Sequence, residues 1–167
     1  ITGSHNPKEY NGIKLVINDK PVSGEEIYNL INEKADFTGA GKISYKDIRE
    51  EYINEVKKNI SLIFDKRIKV VLDSGNGAAG CIAPKLFKDL GCDVIELYSD
   101  VDGNFPNHHP DPGKEKNLKD LIDAVIKNDA DLGLAFDGDG DRVGVVTDKG
   151  EIVYPDRILM MLCEEIL

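Results

Sequence analysis

The hydrophobic and polar positions in the first third of the chain change between a strand-like and a helical pattern. The segment NGIKLVI (residues 11–17) is strand-like, whereas SGEEIYNLINEK (residues 23–34) carries apolar residues at helical spacing. Ser23 and Glu26 form the S-x-x-E pattern of a capping box, which predicts the start of a helix at this point. The glycine-rich segment FTGAGKIS interrupts the pattern, and a longer helix is predicted from about Ser44.

Each predicted helix has one apolar face, because residues three or four positions apart lie on the same side of a helix. The first helix brings together Ile27, Leu30 and Ile31. The second helix is expected to bury a stripe formed by Ile48, Tyr52, Val56, Ile60 and Ile63. This second stripe predicts core packing and no further role.

Strand and helix patterns alternate through the middle of the chain. The buried-strand patterns are IKVVLDS (residues 68–74), CDVIELY (92–98) and DLGLAF (131–136). Between them, CIAPKLFKDL predicts a helix that stops at Gly91, and NLKDLIDAVIKN predicts a helix capped by Asn117. This second helix is expected to point four apolar residues toward the core: Leu121, Ile122, Val125 and Ile126. This order of elements predicts a parallel α/β sheet with right-handed connections.

The segment RVGVVTD follows the third strand after a loop too short for a parallel crossover, so it is predicted to return antiparallel as an edge strand. The segment DKG (residues 148–150) predicts a turn, and EIVYPDRILMMLCEEIL predicts a further element that ends in an amphipathic helix. The predicted fold class is therefore α/β, a three-layer α/β/α domain whose mixed sheet is mainly parallel with an antiparallel edge strand.

Composition narrows the classes of function. The 167 residues carry a formal net charge of -10, which argues against a nucleic-acid or anionic-membrane partner. The sequence has neither an apolar run long enough to span a membrane nor the pattern of a signal peptide. Cys81, Cys92 and Cys163 lack CxxC spacing, and we expect reduced, mostly buried thiols in a cytoplasmic protein. Since the sequence opens on ITGSHNP without an initiator Met, it is expected to be a fragment.

Candidate chemistry is concentrated in the segment FDGDGDRVG, which places Asp137, Asp139 and Asp141 within five residues. At this spacing, like charges repel by several kcal/mol at an effective dielectric constant of about 20, so a cation is expected between them. Gly138 and Gly140 are expected to take positive φ angles, which lets the carboxylates converge. The loop follows a central strand, at the sheet edge where α/β proteins hold ligands, and its oxygen donors suit Mg²⁺.

Other interpretations of this loop remain open. An EF-hand also begins D-x-D-x-D, but it requires Gly at the sixth and Glu at the twelfth position, where this chain has Arg142 and Asp148. A phosphatase of the haloacid dehalogenase type, with Asp137 as nucleophile, usually continues into Thr or Val where this chain has Asp141. The third alternative is a solvated acidic turn. The alternation with glycine and the position at a strand end favour the metal site.

A second candidate loop opens the chain, where TGSHNP places Ser4 beside His5, with Lys14 ten residues further on. A neighbouring Ser-His pair does not define the geometry of a catalytic triad, and taken alone it favours a turn.

The two loops together are similar to two signatures of one family. ITGSHNPKEYNGIKLV resembles the phosphoserine loop of the α-D-phosphohexomutase superfamily, and FDGDGDR resembles its Mg²⁺ loop. The segment VDGNFPNHHPDPGKEKNLKDLI resembles the phosphomannomutase/phosphoglucomutase branch, with the related phosphoglucosamine mutases as the alternative. The resemblance implies interconversion of hexose 1-phosphate and hexose 6-phosphate, of mannose or glucose, through a bisphosphorylated sugar.

The resemblance also implies roles for individual residues. Ser4 matches the phosphorylated serine, which passes its phosphoryl group to the sugar and supplies an oxygen to the metal. One Mg²⁺ is held by Asp137, Asp139 and Asp141. Catalytic roles are implied for Arg142 near the phosphoserine, for Lys14 in proton transfer or charge stabilisation, and for His5. Glucose 1,6-bisphosphate is implied as activator and a hexose phosphate as substrate of a monomeric enzyme.

Members of this branch have four domains, so the resemblance divides this chain among three of them. It implies that residues 1–64 are the end of domain 1 with the phosphoserine loop, residues 65–152 are domain 2 with the metal loop, and residues 153–167 begin domain 3. The fragment alone is then expected to bind Mg²⁺ weakly and to be inactive. The alternative is a non-catalytic Mg²⁺- or phosphate-binding module, in which Ser4 is unphosphorylated and dispensable.

Two further motifs are interpreted as structural. DSGNGAAG (residues 73–80) resembles a phosphate cradle at a helix N-terminus, but it lacks both the GK[ST] ending and the full G-x-G-x-x-G pattern. His108 and His109 are adjacent and followed by Pro, so they lack the i, i+4 spacing of a helical zinc pair. We expect a turn at the first motif and loop packing at the second.

Overall fold

The computed structural model describes residues 3, 6–32, 39–60 and 66–166. For residues 165 and 166 it describes the backbone alone. The elements, in chain order, are β1 (Val16–Ile17), β2 (Lys20–Pro21), α1 (Gly24–Asn32), α2 (Arg49–Asn59), β3 (Lys69–Asp73), α3 (Ala83–Asp89), β4 (Asp93–Leu97), α4 (Lys119–Lys127), β5 (Leu132–Phe136), β6 (Val143–Thr147), β7 (Ile152–Val153) and α5 (Pro155–Ile166). Short 3-10 turns precede α3 and α4.

A five-stranded mixed sheet in the order β4-β3-β5-β6-β7 forms the centre of the fold. Strand β3 pairs in parallel with both β4 and β5, and β6 returns antiparallel to β5 as the short loop requires. The predicted edge position of β6 is wrong, because β7 adds to it antiparallel and becomes the edge strand itself.

The alternation of side chains along β3 separates two hydrophobic cores. Val71 faces the core under α4, together with Leu118, Leu121, Val125, Ala130, Ala135 and Val146. Val70 and Leu72 face the opposite core under α3, with Ala83 and Cys92. Helices therefore cover both faces of the sheet, and the predicted three-layer α/β/α architecture is confirmed.

The buried face of α2 differs from the predicted stripe. Ile53 is buried, whereas Ile48, Tyr52 and Ile60 are 59%, 51% and 41% exposed. Helix α2 begins at Arg49 and packs beside α3, so the residues that it buries depend on that neighbour. Helical spacing identifies which residues share a face, but it leaves open which face a single neighbouring helix covers. Ile63 lies outside the described residues.

The start of α4 also differs from the prediction. Asn117 does not cap the helix; it is buried in the preceding 3-10 turn, where its side-chain amide donates a hydrogen bond of 2.8 Å to the carbonyl of Asp111. Leu121 and Val125 are buried as predicted, but Ile126 is 54% exposed. The buried face is narrow because α4 packs against one side of the sheet.

The capping box of α1 is confirmed, since the Ser23 N–H donates to Glu26 Oε2 at 2.7 Å and the Glu26 N–H donates to Ser23 Oγ at 3.2 Å. The predicted strand NGIKLVI contributes only β1 of a two-stranded hairpin. All three thiols are free, but Cys81 and Cys163 are exposed, so the expectation of mostly buried cysteines is wrong. Among the described residues, no helix combines the length and the apolar composition that crossing a membrane requires.

Candidate functional site

The aspartate loop, residues 137–142, joins the end of β5 to the start of β6 at the carboxyl edge of the parallel strands. The Asp137 N–H donates to the carbonyl of Arg142 at 3.3 Å, and the Gly140 N–H donates to the carbonyl of Asp137 at 3.1 Å, so the loop closes on itself. Gly140 has a φ of 75°, whereas Gly138 does not have the positive φ expected of it. One glycine therefore supplies the left-handed conformation.

The three predicted metal ligands converge in this loop. One carboxylate oxygen from each of Asp137, Asp139 and Asp141 lies within 4.8 Å of the others. The negative charge of Asp137, together with loss of hydration and the charge of Asp139, raises the pKa of Asp141 above its usual range. Hard oxygen donors at this separation suit an octahedral divalent cation such as Mg²⁺, and a cation would relieve the repulsion that the pKa shift reports.

Arg142 supplies a positive charge beside two of these carboxylates, those of Asp137 and Asp141. Its Nε donates to Asp137 Oδ2 at 2.9 Å, and its backbone N–H donates to Asp137 Oδ1 at 3.1 Å. Asp111 Oδ1 lies 3.8 Å from Arg142 Nη1. The hydrogen bond to Asp137 raises the pKa of the Arg142 guanidinium. Asp137 is fully buried, and these contacts fix the orientation of its carboxylate.

The aspartate loop and the N-terminal segment line one open cavity of about 390 Å³. Asp139, Asp141 and Arg142 of the aspartate loop line it together with Lys14 of the N-terminal segment. Gly3 and Asn6, which flank Ser4 and His5 in the sequence, also line the cavity, with Tyr10, Asn11 and Gly12. Ser4 and His5 themselves lie outside the described residues. The structure thus brings together the predicted site residues that it describes.

The turn after β3 contains contacts that the sequence motif did not identify. The N–H groups of Ser74, Asn76 and Gly77 donate to carbonyls of Leu97, Tyr98 and Ser74 at 3.0, 2.8 and 2.7 Å. The Ala78 N–H donates to the carbonyl of Gly138 in the aspartate loop at 2.9 Å. Because these donors already have protein acceptors, the structure supports a structural turn and not a phosphate cradle.

His108 has a partner that its position in the sequence did not reveal. Its Nε2 lies 2.9 Å from Oδ2 and 3.1 Å from Oδ1 of Asp73, a fully buried residue at the end of β3. The hydrogen bond with Asp73 raises the pKa of His108. His109 is exposed. The expected loop packing of these histidines is supported for His108, which ties residues 98–112 to β3.

Most of the chain matches family models or sequences of known proteins. Residues 50–150 match the family model described as phosphoglucomutase/phosphomannomutase, alpha/beta/alpha domain II, and residues 1–37 match the model of alpha/beta/alpha domain I. The whole chain is 54% identical to a phosphomannomutase/phosphoglucomutase of Pseudomonas aeruginosa and 51% identical to a phosphoglucomutase of Neisseria meningitidis.

A crystal structure of a phosphoglucomutase/phosphomannomutase family protein from Burkholderia thailandensis is also similar, with 48% sequence identity and a TM-score of 0.89 over 99% of this chain. The chain spans 36% of that protein, 36% of the Pseudomonas protein and 37% of the Neisseria protein. It therefore corresponds to little more than a third of the length of these relatives.

Proposed function

Because the chain belongs to the phosphoglucomutase/phosphomannomutase family, we propose that the whole protein is a phosphohexomutase. It would interconvert the 1-phosphate and 6-phosphate of mannose, glucose or both. The observation that carries the proposal is the cavity lined jointly by Asp139 and Asp141 of the converging carboxylates, by Lys14 and by the residues flanking Ser4. This arrangement offers a cation site beside the segment in which the resemblance places a phosphoserine.

One Mg²⁺ is proposed to bind Asp137, Asp139 and Asp141, with an oxygen of phosphoserine Ser4 as a further ligand. When bound, the cation would neutralise the carboxylates and would polarise the phosphoryl group, which itself carries about -1.5 to -2 charge at neutral pH. Arg142 holds the carboxylate of Asp137 through Nε at 2.9 Å and so keeps this ligand in place.

The proposed reaction is transfer of the Ser4 phosphoryl group to a free hydroxyl of the sugar phosphate. The hydroxyl oxygen bonds to phosphorus, the bond from phosphorus to the serine oxygen breaks, and the proton lost by the hydroxyl is returned to the serine. Lys14 lies in the cavity and is proposed to move this proton or to stabilise the charge that develops, and His5 is proposed to assist. The resulting sugar bisphosphate reorients within the site and transfers its other phosphate to Ser4. Glucose 1,6-bisphosphate added as activator would restore the phosphoserine by the same transfer.

The described cavity is open to solvent. From the resemblance to four-domain members of the family, we propose that residues 1–64 end a first domain, residues 65–152 form a second, and residues 153–167 begin a third, in a monomer whose remaining domains bind the sugar. The 167-residue chain alone is then expected to bind Mg²⁺ weakly and to show no mutase activity.

The test is mass spectrometry of the full-length protein with peptide mapping of the TGSHNP segment. A single phosphate on Ser4, lost on incubation with excess hexose monophosphate and missing in Ser4→Ala, would support the proposal. The same peptide should be labelled again by glucose 1,6-bisphosphate when Mg²⁺ is present. A Ser4 that is never labelled under these conditions would refute the mutase and leave a metal-binding module.

A further inference from the structure

The turn after β3, residues 74–79, lies directly against the backbone of the aspartate loop. The Ala78 N–H donates a 2.9 Å hydrogen bond to the carbonyl of Gly138, which stands between the first two proposed metal ligands. A Cβ atom built on Gly140 would lie 3.5 Å from Cβ of Ala79, so the turn contacts the loop at two points. We call residues 74–79 the β3 turn.

Gly77 is the closest point of this contact. A Cβ atom at Gly77 would lie 2.8 Å from the carbonyl oxygen of Gly138, closer than real Cβ atoms come to backbone, and 3.0 Å from the carbonyl oxygen of Asp137. The dihedral angles of Gly77 are -87° and 179°, an extended conformation that any residue can adopt. Glycine is therefore needed here because of the neighbouring loop and not because of the local backbone conformation.

The β3 turn is also anchored by residues outside the aspartate loop. The N–H of Asn76 donates to the carbonyl of Tyr98 at 2.8 Å, and the Asn76 side chain donates to the carbonyl of Asp100 at 2.8 Å. The Gly75 N–H donates to the buried carboxylate of Asp73 at 2.9 Å. Because the turn is held by these bonds, an added side chain at Gly77 would displace the aspartate loop.

We propose that Gly77 and Ala78 are positioning residues for the divalent-cation site of the aspartate loop. Together they set the position of the Gly138 carbonyl, and with it the backbone from which the Asp137 and Asp139 side chains start. Ligand oxygens must be placed within about 0.5 Å for a productive site, so a small shift of this backbone weakens the site. The inference rests on the proposed metal-binding role of the loop.

The experiment measures the Mn²⁺ affinity of the full-length protein after treatment with a chelator. Free Mn²⁺ is quantified by electron paramagnetic resonance during the titration, and Mg²⁺ is added as competitor. Gly77→Ala should weaken binding by about tenfold or more, the usual effect of changes around metal ligands. Ala78→Pro removes the hydrogen bond to Gly138 at the first position of a 3-10 turn, where proline is tolerated, and should weaken binding similarly. This second variant decides the matter if Gly77→Ala does not fold.

Gly133→Ala is the matched control, because its Cβ would meet side-chain atoms of Leu121 and Val125 at 2.7 Å and would strain the core without touching the aspartate loop. It should lower thermal stability and leave Mn²⁺ affinity unchanged. The positioning role would be overturned if folded variants of Gly77 and Ala78 bind Mn²⁺ as tightly as the wild type does. It would also be overturned if Gly133→Ala lost as much Mn²⁺ affinity as they do. Neither result would argue against the metal site itself. A wild-type protein that binds no Mn²⁺ would overturn the metal site and the inference with it.

Discussion

The pair formed by His108 and Asp73 predicts a large loss of stability when the histidine is removed. Asp73 is fully buried, and His108 Nε2 lies 2.9 Å from its Oδ2. Removal of one partner of a buried ion pair costs about 3–5 kcal/mol, because it leaves an uncompensated charge. Asp73 keeps its hydrogen bond from the Gly75 N–H, so we expect His108→Ala to lower the free energy of unfolding by about 3 kcal/mol.

The adjacent His109 provides the comparison, because it is exposed and its substitution by Ala should lower the free energy of unfolding by less than that of His108, which bonds to the buried Asp73. Urea unfolding of the 167-residue chain is followed by circular dichroism, since the sequence contains no Trp. Equal effects of His108→Ala and His109→Ala would refute the proposed anchoring of residues 98–112 to β3.

The pH dependence of this difference has a definite sign. The pKa of His108 is raised in the folded protein by its hydrogen bond to Asp73. The protonated His108 therefore contributes stability to the fold. This contribution is complete at pH values below the pKa of the unfolded histidine, about 6.5, and it is lost as the pH rises through the higher pKa of the folded protein. The stability gap between wild type and His108→Ala should therefore be larger at pH 5.5 than at pH 8.5. A gap that grows with pH would contradict the assignment.

Three further predictions address the core, the first helix and the site. Leu121→Ala should destabilise the chain by about 2–5 kcal/mol in urea unfolding, whereas Ile126→Ala, at a residue 54% exposed, should cost far less. Ser23→Ala removes one half of the capping box and should cost about 1 kcal/mol, an effect that Ser23→Asp should largely avoid. In the full-length protein, Asp139→Asn should weaken Mn²⁺ binding measured by titration. Lys14→Met should abolish mutase turnover and leave Mn²⁺ binding intact. If Lys14→Met weakened Mn²⁺ binding and Asp139→Asn did not, both proposed roles would be refuted.

Local patterns predicted the elements that depend on neighbours in sequence. The capping box of Ser23 and Glu26 needs only residues three positions apart, and the structure confirms both of its hydrogen bonds. The short loop between β5 and β6 excluded a crossover, so the antiparallel return was also predictable. The same loop showed its three carboxylates directly, because all three lie within five residues.

Features that join distant segments were not accessible in this way. Helix α2 packs beside α3 and buries Ile53, and Asn117 bonds to Asp111 and does not cap α4. The partner of His108 lies 35 residues away at Asp73. Helical spacing and capping preferences describe one segment at a time, so they cannot select among faces or partners that another segment provides.

The sequence by itself determined the α/β layer order and the crowding of Asp137, Asp139 and Asp141, since both follow from residues close together along the chain. The tertiary structure alone decided that Lys14 lines one cavity with Asp139 and Asp141 and that Gly77 abuts the Gly138 carbonyl. The physical reason is that steric contact and electrostatic attraction depend on distances in space. In this fold, the parallel strands β3 and β5 bring the β3 turn and the aspartate loop to the same edge of the sheet.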